Sequence, residues 1–175
     1  KQGRYNLCPD IFFFATPPDD GVFCSLVNHP ADFCFAVGNN VSLEEAALIE
    51  PLSTGLYAAR MGAIGLGDTV IITGAGPIGL INLLTARAAG AARVIVSDVI
   101  PQRLEVAKAL GAWRVVNGDA AELKEAALDA TEGRGADVAI ECAGHPSALN
   151  AAIGAVRSGA TVVIIGLPPG DEVTL

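Results

Sequence analysis

Three glycines in G-x-G-x-x-G spacing, Gly74, Gly76 and Gly79, are the residues most able to support chemistry in this sequence. The apolar, β-branched run at residues 70–73 before them predicts a buried strand, and the apolar segment after them predicts a helix. In that context the first glycine permits a tight turn, the second lets the backbone approach a pyrophosphate, and the third allows close helix–strand packing. The helix opening at about Pro77 would direct free N–H groups at phosphates. The stretch therefore predicts a dinucleotide-binding turn.

A second apolar run, residues 93–97, ends in Asp98, about 20 residues beyond the glycines, where such acids bind ribose. A carboxylate there can accept hydrogen bonds from the adenosine ribose hydroxyls and would repel a 2′-phosphate, so we predict NAD rather than NADP. A G-x-G-x-x-G alone is often only a loop, but strand, glycines, helix, strand and acid in order favour the binding turn. The predicted contacts are Gly74, Gly76, Pro77, Ile78, Gly79 and Asp98.

Strands and helices alternate after Asp98. Further strands are predicted at residues 113–116, 136–141 and 161–166, and helices at residues 101–110, 120–131 and 147–156. Helices of this length between strands imply right-handed crossovers and a parallel sheet covered on both faces. The fold class is therefore α/β, a doubly wound parallel sheet (Rossmann), with five strands after residue 69 and a sixth expected beyond the sequence.

The first part of the chain differs in composition from the rest. Residues 1–50 predict an incomplete second domain, and residues 51–175 the nucleotide-binding domain without its last strand. Within the first part, residues 22–37 contain two short strand-like runs separated by a turn at His29 and Pro30.

A capping-box pattern formed by Ser42 and Glu45 begins a predicted helix that extends to Glu50. Pro51 should break or kink this helix, because a proline cannot donate the helical hydrogen bond. A second amphipathic run, residues 52–60, is expected beyond it.

Composition narrows the function classes. The chain of 175 residues is 51% hydrophobic with a net charge of −8 and no basic cluster, which argues against a nucleic-acid partner. No uninterrupted apolar stretch reaches membrane-spanning length, and the first residues lack the apolar core of a signal peptide. Widely spaced cysteines favour reduced thiols in a cytoplasmic enzyme, and both ends of the sequence suggest a fragment. These cysteines are Cys8, Cys24, Cys34 and Cys142.

Four segments resemble the zinc-containing medium-chain dehydrogenases, specifically their sorbitol/xylitol (polyol) dehydrogenase branch. They are G-R-Y-N-L-C-P at 3–9, F-F-A-T-P-P-D-D-G at 13–21, L-I-E-P-L-S at 48–53 and G-A-G-P-I-G at 74–79. The resemblance implies a GroES-like catalytic domain, of which residues 1–50 would be the C-terminal part, joined to a Rossmann domain. It also implies zinc- and NAD-dependent oxidation of a secondary hydroxyl of a small-molecule polyol, and a homotetramer.

The resemblance also gives roles to two possible metal ligands. Glu50 matches a glutamate beside the catalytic zinc, bound directly or through water, and the main ligands, a Cys and a His-Glu pair, would precede Lys1. From its position alone, Glu50 is better interpreted as a solvated acid at a helix end, and the resemblance reverses that preference. Cys8 matches the last of four cysteines at a structural zinc, and without the other three it would be a free thiol.

Other positions take weaker implications from the resemblance. Phe13 and Thr16 resemble residues that line the polyol pocket, although each could instead be a packing residue. Arg103 resembles an arginine near the adenosine ribose and is alternatively an exposed helix arginine. Two strand ends are expected along the cofactor: Cys142, Ala143, Gly144 and, beside the nicotinamide, Ile165, Gly166, Leu167. The residues interpreted as core or turn are Trp113, His29, Cys24 and Cys34.

Alternative functions stay open at this stage. Another zinc dehydrogenase, acting on threonine, a diol or a simple secondary alcohol, would carry the same nucleotide-binding features. The 175 residues by themselves could also be a catalytically inactive NAD-binding module, since no set of main zinc ligands is present. A purely structural domain is disfavoured by Asp98 and the glycine turn.

Overall fold

The computed structural model of the chain describes residues 5–168 and residue 170. The chain divides into two compact units, Lys1–Val41 and Ser42–Leu175. The assignment of residues 1–50 to a catalytic domain and of residues 51–175 to a nucleotide-binding domain remains a prediction.

The described part of the first unit has little regular structure. It contains two short 3-10 helices, Tyr5–Leu7 and Ala31–Phe33. The two strands predicted in residues 22–37 are wrong, because the described residues of this unit form no strand there and a short strand is not stable without a partner. Aromatic contacts are present instead, with the His29 ring lying 5.3 Å from Phe14 and 6.2 Å from Phe33 between ring centroids.

The second unit begins with two consecutive helices. They are α1 (Leu43–Ala47) and α2 (Ile49–Met61). The capping box is confirmed, since Ser42 Oγ accepts from the Glu45 N–H at 3.2 Å and the Ser42 N–H donates to Glu45 Oε2 at 2.8 Å. The break lies at Leu48, before Pro51 rather than at it. Pro51 is the third residue of α2, and a missing N–H in a first turn costs no helical hydrogen bond.

A parallel sheet of five strands is the centre of this unit. The strands are β1 (Thr69–Thr73), β2 (Arg93–Ser97), β3 (Arg114–Val116), β4 (Ala136–Glu141) and β5 (Val156–Ile164). The helices between them are α3 (Pro77–Ala89), α4 (Pro101–Ala109), α5 (Ala120–Ala130) and α6 (Pro146–Ala155). The strand order is β3-β2-β1-β4-β5, and every pair is parallel. This confirms the predicted doubly wound α/β fold.

Both faces of the sheet are buried at its central strands β1, β2 and β4. Successive side chains of β1 point to opposite faces, so Val70 and Ile72 pack in one cluster with Leu83 of α3, while Ile71 packs in another with Leu123 of α5. Every residue of β1 is buried. This explains why the sequence shows continuous apolar runs rather than alternation, the pattern typical of parallel sheets.

Two local expectations needed correction. Strand β5 begins at Val156, directly after α6, and a register irregularity with β4 accompanies its early start, so the apolar run at 161–166 marked only its second half. The strand predicted at 113–116 begins at Arg114, because Trp113 lies in the bend before it, 44% exposed and with its ring centroid 5.5 Å from the Arg93 guanidinium.

Asp137 connects three strands at the amino edge of the sheet. Its Oδ2 accepts from the Thr69 N–H at 2.9 Å, its Oδ1 accepts from Arg157 Nε at 2.8 Å, and Arg134 lies 4.0 Å away. Burial by itself would raise the pKa of Asp137, but these hydrogen bonds and the two positive charges outweigh it and lower the pKa. The ionised form is therefore favoured in the folded state.

We expect Asp137→Asn to lower the free energy of unfolding at pH 7 by about 1–3 kcal/mol, because a partly buried charged acceptor is lost. Since the folded pKa is depressed, the contribution is present above the ordinary value of 3.8 and is lost as the pH falls through the folded pKa. Urea unfolding of the unmodified protein and of the Asp137→Asn variant, measured at several acid pH values, would show the difference between their free energies of unfolding decreasing as the pH falls. Asp129→Asn, which removes an exposed pair with Arg114, is the control, and an equal loss in both variants would contradict the prediction.

Candidate functional site

The glycine turn joins β1 to α3 and is shaped by two close contacts. Gly74 has a φ of 94°, and a Cβ on it would lie 2.8 Å from the Ala143 amide nitrogen. A Cβ on Gly79 would collide with the Gly74 carbonyl oxygen. Gly76, in contrast, has nothing within 4 Å of its Cβ position, so its surface is open to a ligand. α3 then begins at Pro77 with Gly76 as its N-cap, and no side chain caps its free N–H groups.

Asp98 follows β2 and is hydrogen-bonded to this turn. The residue is 7% exposed, and its Oδ2 accepts from the Ala75 N–H at 2.6 Å while its Oδ1 accepts from the Ile100 N–H at 2.8 Å. The Arg103 guanidinium lies 3.6 Å from Oδ2. A carboxylate has about four lone-pair positions, so capacity remains for ribose hydroxyls.

A cleft of about 500 Å³ opens at the carboxyl edge of the sheet. This size is within the range of small-molecule and cofactor sites, which is roughly 300–1,000 Å³. Predicted site residues from four separate parts of the chain line it, namely Gly74, Gly76, Asp98, Arg103, Cys142 and Ala143. The cleft therefore lies where the strand order reverses around β1, the usual ligand position in open α/β sheets.

Other predicted residues lie elsewhere. Gly144 and Gly166 line a smaller neighbouring cavity of about 250 Å³. Pro77, Ile78, Gly79, Ile165 and Leu167 line neither cavity. Phe13, Thr16 and Cys8 belong to the first unit, and their roles as pocket residues and as a metal ligand stay predictions.

Two buried polar atoms have no hydrogen-bond partner within the described chain. They are Thr73 Oγ1 and Asn82 Oδ1, on residues that are 2% and 0% exposed. Thr73 ends β1 and is one of the residues that line the cleft. An open glycine, uncapped helix N–H groups and a buried carboxylate together fit a dinucleotide with its pyrophosphate and ribose.

Sequence reasoning missed three residues at this edge. Glu141, at the end of β4, is 2% exposed, and His145 and Ser147 line the cleft at the start of α6. His145 Nδ1 accepts from the Ser147 N–H at 3.2 Å and caps the helix. Glu141, like Asp98, is an acid at the end of a buried apolar run in the sequence, and this pattern could have identified it.

The described residues do not form a zinc site. Within residues 5–168 no three His, Cys, Asp or Glu side chains lie close enough together to hold a metal ion. Glu50 is exposed in the first turn of α2, and all four cysteines are free, with Cys142 partly buried. In the same part of the chain, no helix has the length and apolarity needed to cross a membrane.

A parallel doubly wound sheet with a glycine turn and an acid beside it defines a dinucleotide-binding type of α/β domain. Residues 77–175 match the model of the zinc-binding dehydrogenase family, more than half of the chain. The chain belongs to that family, and the resemblance found in the sequence is confirmed.

Individual relatives are similar over the whole chain. Sorbitol dehydrogenase of Bacillus subtilis (strain 168) is 46% identical over 175 residues, which are 100% of this chain and 50% of the relative. A zinc-binding dehydrogenase structure from Sinorhizobium meliloti 1021 bound to NADP has a TM-score of 0.87 at 34% identity, covering 99% of this chain and 51% of that one. The structure of L-idonate 5-dehydrogenase from Escherichia coli has a TM-score of 0.83 at 29% identity, covering 95% of this chain and 49% of that one. The chain thus spans about half the length of the curated relatives it matches.

Cys142 follows Glu141 and lines the cleft. Burial raises the pKa of the Cys142 thiol to about 12, with a further contribution from the negative charge of Glu141. The thiolate is the reactive form, so this cysteine should be inert at neutral pH.

We expect iodoacetamide at pH 8 to alkylate Cys142 roughly a thousandfold more slowly than an ordinary thiol, because a pKa of about 12 in place of the ordinary 9.0 lowers the thiolate fraction that much. Peptide mass spectrometry after timed labelling would separate it from the exposed Cys24 and Cys34. All cysteines should react in urea. Labelling of Cys142 at the rate of Cys24 in the native protein would contradict the expectation.

Proposed function

We propose that the protein containing this chain is a polyol dehydrogenase that transfers hydride from a secondary hydroxyl of a sorbitol- or xylitol-like substrate to NAD. The observation that carries the proposal is the cleft at the β1 switch point, with the glycine turn and Asp98 on its walls. Membership of the zinc-binding dehydrogenase family and similarity to sorbitol dehydrogenase and L-idonate 5-dehydrogenase support the substrate class.

NAD would be held by this chain's own groups. Gly76 and the N–H groups that open α3 would bind the pyrophosphate, and Asp98 would accept from the ribose hydroxyls. Residues 142–144 and 165–167 would lie along the rest of the cofactor, at the ends of β4 and β5. When bound, NAD supplies the hydride acceptor. The buried charge of Asp98 disfavours a 2′-phosphate, and Arg103 already pairs with that carboxylate.

Zinc is proposed for the whole protein. Because the described residues form no metal site, we infer that Glu50 is one carboxylate near the catalytic zinc, directly or through water, and that the main ligands lie outside these residues. Cys8 would belong to a structural zinc site completed in the same way. Phe13 and Thr16 are proposed for the polyol pocket, and a cytoplasmic homotetramer for the assembly.

One observation favours a second function for these 175 residues taken without the rest of the protein. The cleft is formed, but within residues 5–168 no cluster of three or more His, Cys, Asp or Glu side chains could hold a metal ion. The chain by itself would then bind NAD without catalysing oxidation. Turnover of sorbitol, xylitol, threonine and butanediol by the full-length protein would identify the substrate class and separate it from other zinc dehydrogenases.

We expect Asp98→Asn to weaken NAD binding about tenfold and to reduce the preference for NAD over NADP, because a charged acceptor is lost and the repulsion of a 2′-phosphate is removed. Calorimetric titration with both cofactors would measure this. Glu105→Gln, an exposed acid on α4 paired with Lys108, is the control and should leave both affinities unchanged. Equal loss for NAD and NADP in the Asp98 variant would show that Asp98 does not select the cofactor.

We expect Glu50→Ala in the full-length protein to reduce zinc affinity or NAD-linked sorbitol oxidation roughly 10–100-fold, the usual cost of losing a group at the metal. Zinc content by elemental analysis is measured beside the rate. Glu44→Ala, an exposed acid one helix earlier, should change neither. Full activity of the unmodified protein after complete zinc removal would refute the zinc proposal.

A further inference from the structure

Glu141 is a buried carboxylate with an unusual set of partners. It is 2% exposed, and its Oε1 accepts from the Ala143 N–H at 2.7 Å and the Gly144 N–H at 2.9 Å. Among the described residues, no Lys or Arg forms an ion pair with it. Burying a charge is costly unless it is hydrogen-bonded, so these two amides are its main stabilisation. Because both amides belong to the turn that follows β4, the carboxylate also fixes the conformation of that turn.

The backbone of the same residue holds a second segment. The Glu141 carbonyl oxygen accepts from the Ile165 N–H at 2.8 Å and the Gly166 N–H at 3.0 Å. A Cβ on Gly166 would collide with the Gly144 amide and with the Glu141 carboxylate. One residue therefore joins the turn after β4 to the segment after β5, with no room for a side chain between them.

The turn held by Glu141 is itself a wall of the cleft. Cys142 and Ala143 line the cleft, and the Cβ position of Gly74 lies 2.8 Å from the Ala143 nitrogen and 2.9 Å from the Cys142 carbonyl carbon. The glycine turn thus rests directly on this backbone. A displacement of residues 142–144 would move both the wall and the support of the glycine turn.

We propose that Glu141 is a positioning residue for the dinucleotide: its carboxylate holds residues 142–144 against Gly74 and so sets the width of the cleft. The inference rests on the proposed function, in which this cleft binds NAD. Glu141 acts through the turn, since it lines the smaller neighbouring cavity and not the cleft itself.

The test measures the Kd for NAD by calorimetry on the full-length protein, with Tm measured on the same samples. Glu141→Ala removes the acceptor of two amides, so the Kd should rise about tenfold or more. Glu141→Gln keeps one acceptor oxygen in place and should restore the Kd to within about threefold of the unmodified protein. Rescue by Gln is a result that a general loss of stability would not give.

Asp137→Ala is the matched control. It removes a carboxylate from the same strand that also accepts a backbone N–H, but at the opposite edge of the sheet. It should lower Tm and leave the Kd unchanged. Because Glu141→Ala leaves buried N–H groups unpaired, Glu141→Asp is a milder second variant, which keeps the charge, cannot reach both amides and should raise the Kd about three- to tenfold.

The outcomes separate the two proposals. An unmodified protein that binds no NAD would overturn the proposed function and the inference with it. An unmodified protein that binds NAD, with a Kd unchanged in the Ala and Asp variants of Glu141, would overturn the positioning role alone. A rise in the Kd of equal size in Asp137→Ala would also overturn the positioning role, since it would reflect a loss of stability rather than a displaced turn.

Discussion

The packing of Gly74 against the backbone of residues 142–143 is the contact on which the cleft depends. β1 is the point where the sheet reverses, with β2 on one side and β4 on the other. The chain leaves β1 and β4 at the two sides of a crevice, and Gly74 fits there because a Cβ on it would lie only 2.8 Å from the Ala143 amide nitrogen. The requirement for glycine therefore follows from strand order before any ligand is considered.

Two buried acids flank that contact in nearly equivalent places. Thr73, the last residue of β1, is in register with Ser97 on one side and with Glu141 on the other. Asp98, one residue beyond Ser97, accepts from a backbone N–H of the glycine turn, and Glu141 accepts from two in the neighbouring turn. Each acid replaces lost hydration with backbone donors and so makes a loop rigid. The loops around the cleft are fixed by charge as well as by packing.

Sequence reasoning succeeded where a pattern is local and failed where tertiary context decides. The buried runs of β1, β2 and β4 were predictable because strands covered on both faces need continuous apolar residues. The position of Asp98 beside the glycine turn was predictable because such an acid ends the second strand at a fixed distance from the glycines, while its role toward the ribose stays a prediction. Glu141 has no such spacing rule, since its partners are loop amides whose positions depend on two neighbouring strands.

Two misses have local causes. The break before Pro51 was placed too late because a proline in the first turn of a helix looks, in sequence, like one that interrupts a helix. The strands expected in residues 22–37 needed a partner strand that the described part of the first unit does not contain. Propensity identifies a segment that could be a strand, but pairing decides whether it becomes one.

Three titratable groups that line the cleft, on Asp98, Cys142 and His145, are engaged or buried within the chain itself. Asp98 has its carboxylate hydrogen-bonded to backbone amides, and the Cys142 thiol keeps its proton because burial raises its pKa to about 12. His145 Nδ1 accepts from the Ser147 N–H at 3.2 Å and lies 2.8 Å from the Ser147 hydroxyl oxygen, so this nitrogen is engaged by the first turn of α6. Asp98 and His145 thereby fix backbone at two sides of the cleft, the glycine turn and the start of α6, in the way that Glu141 fixes the turn after β4.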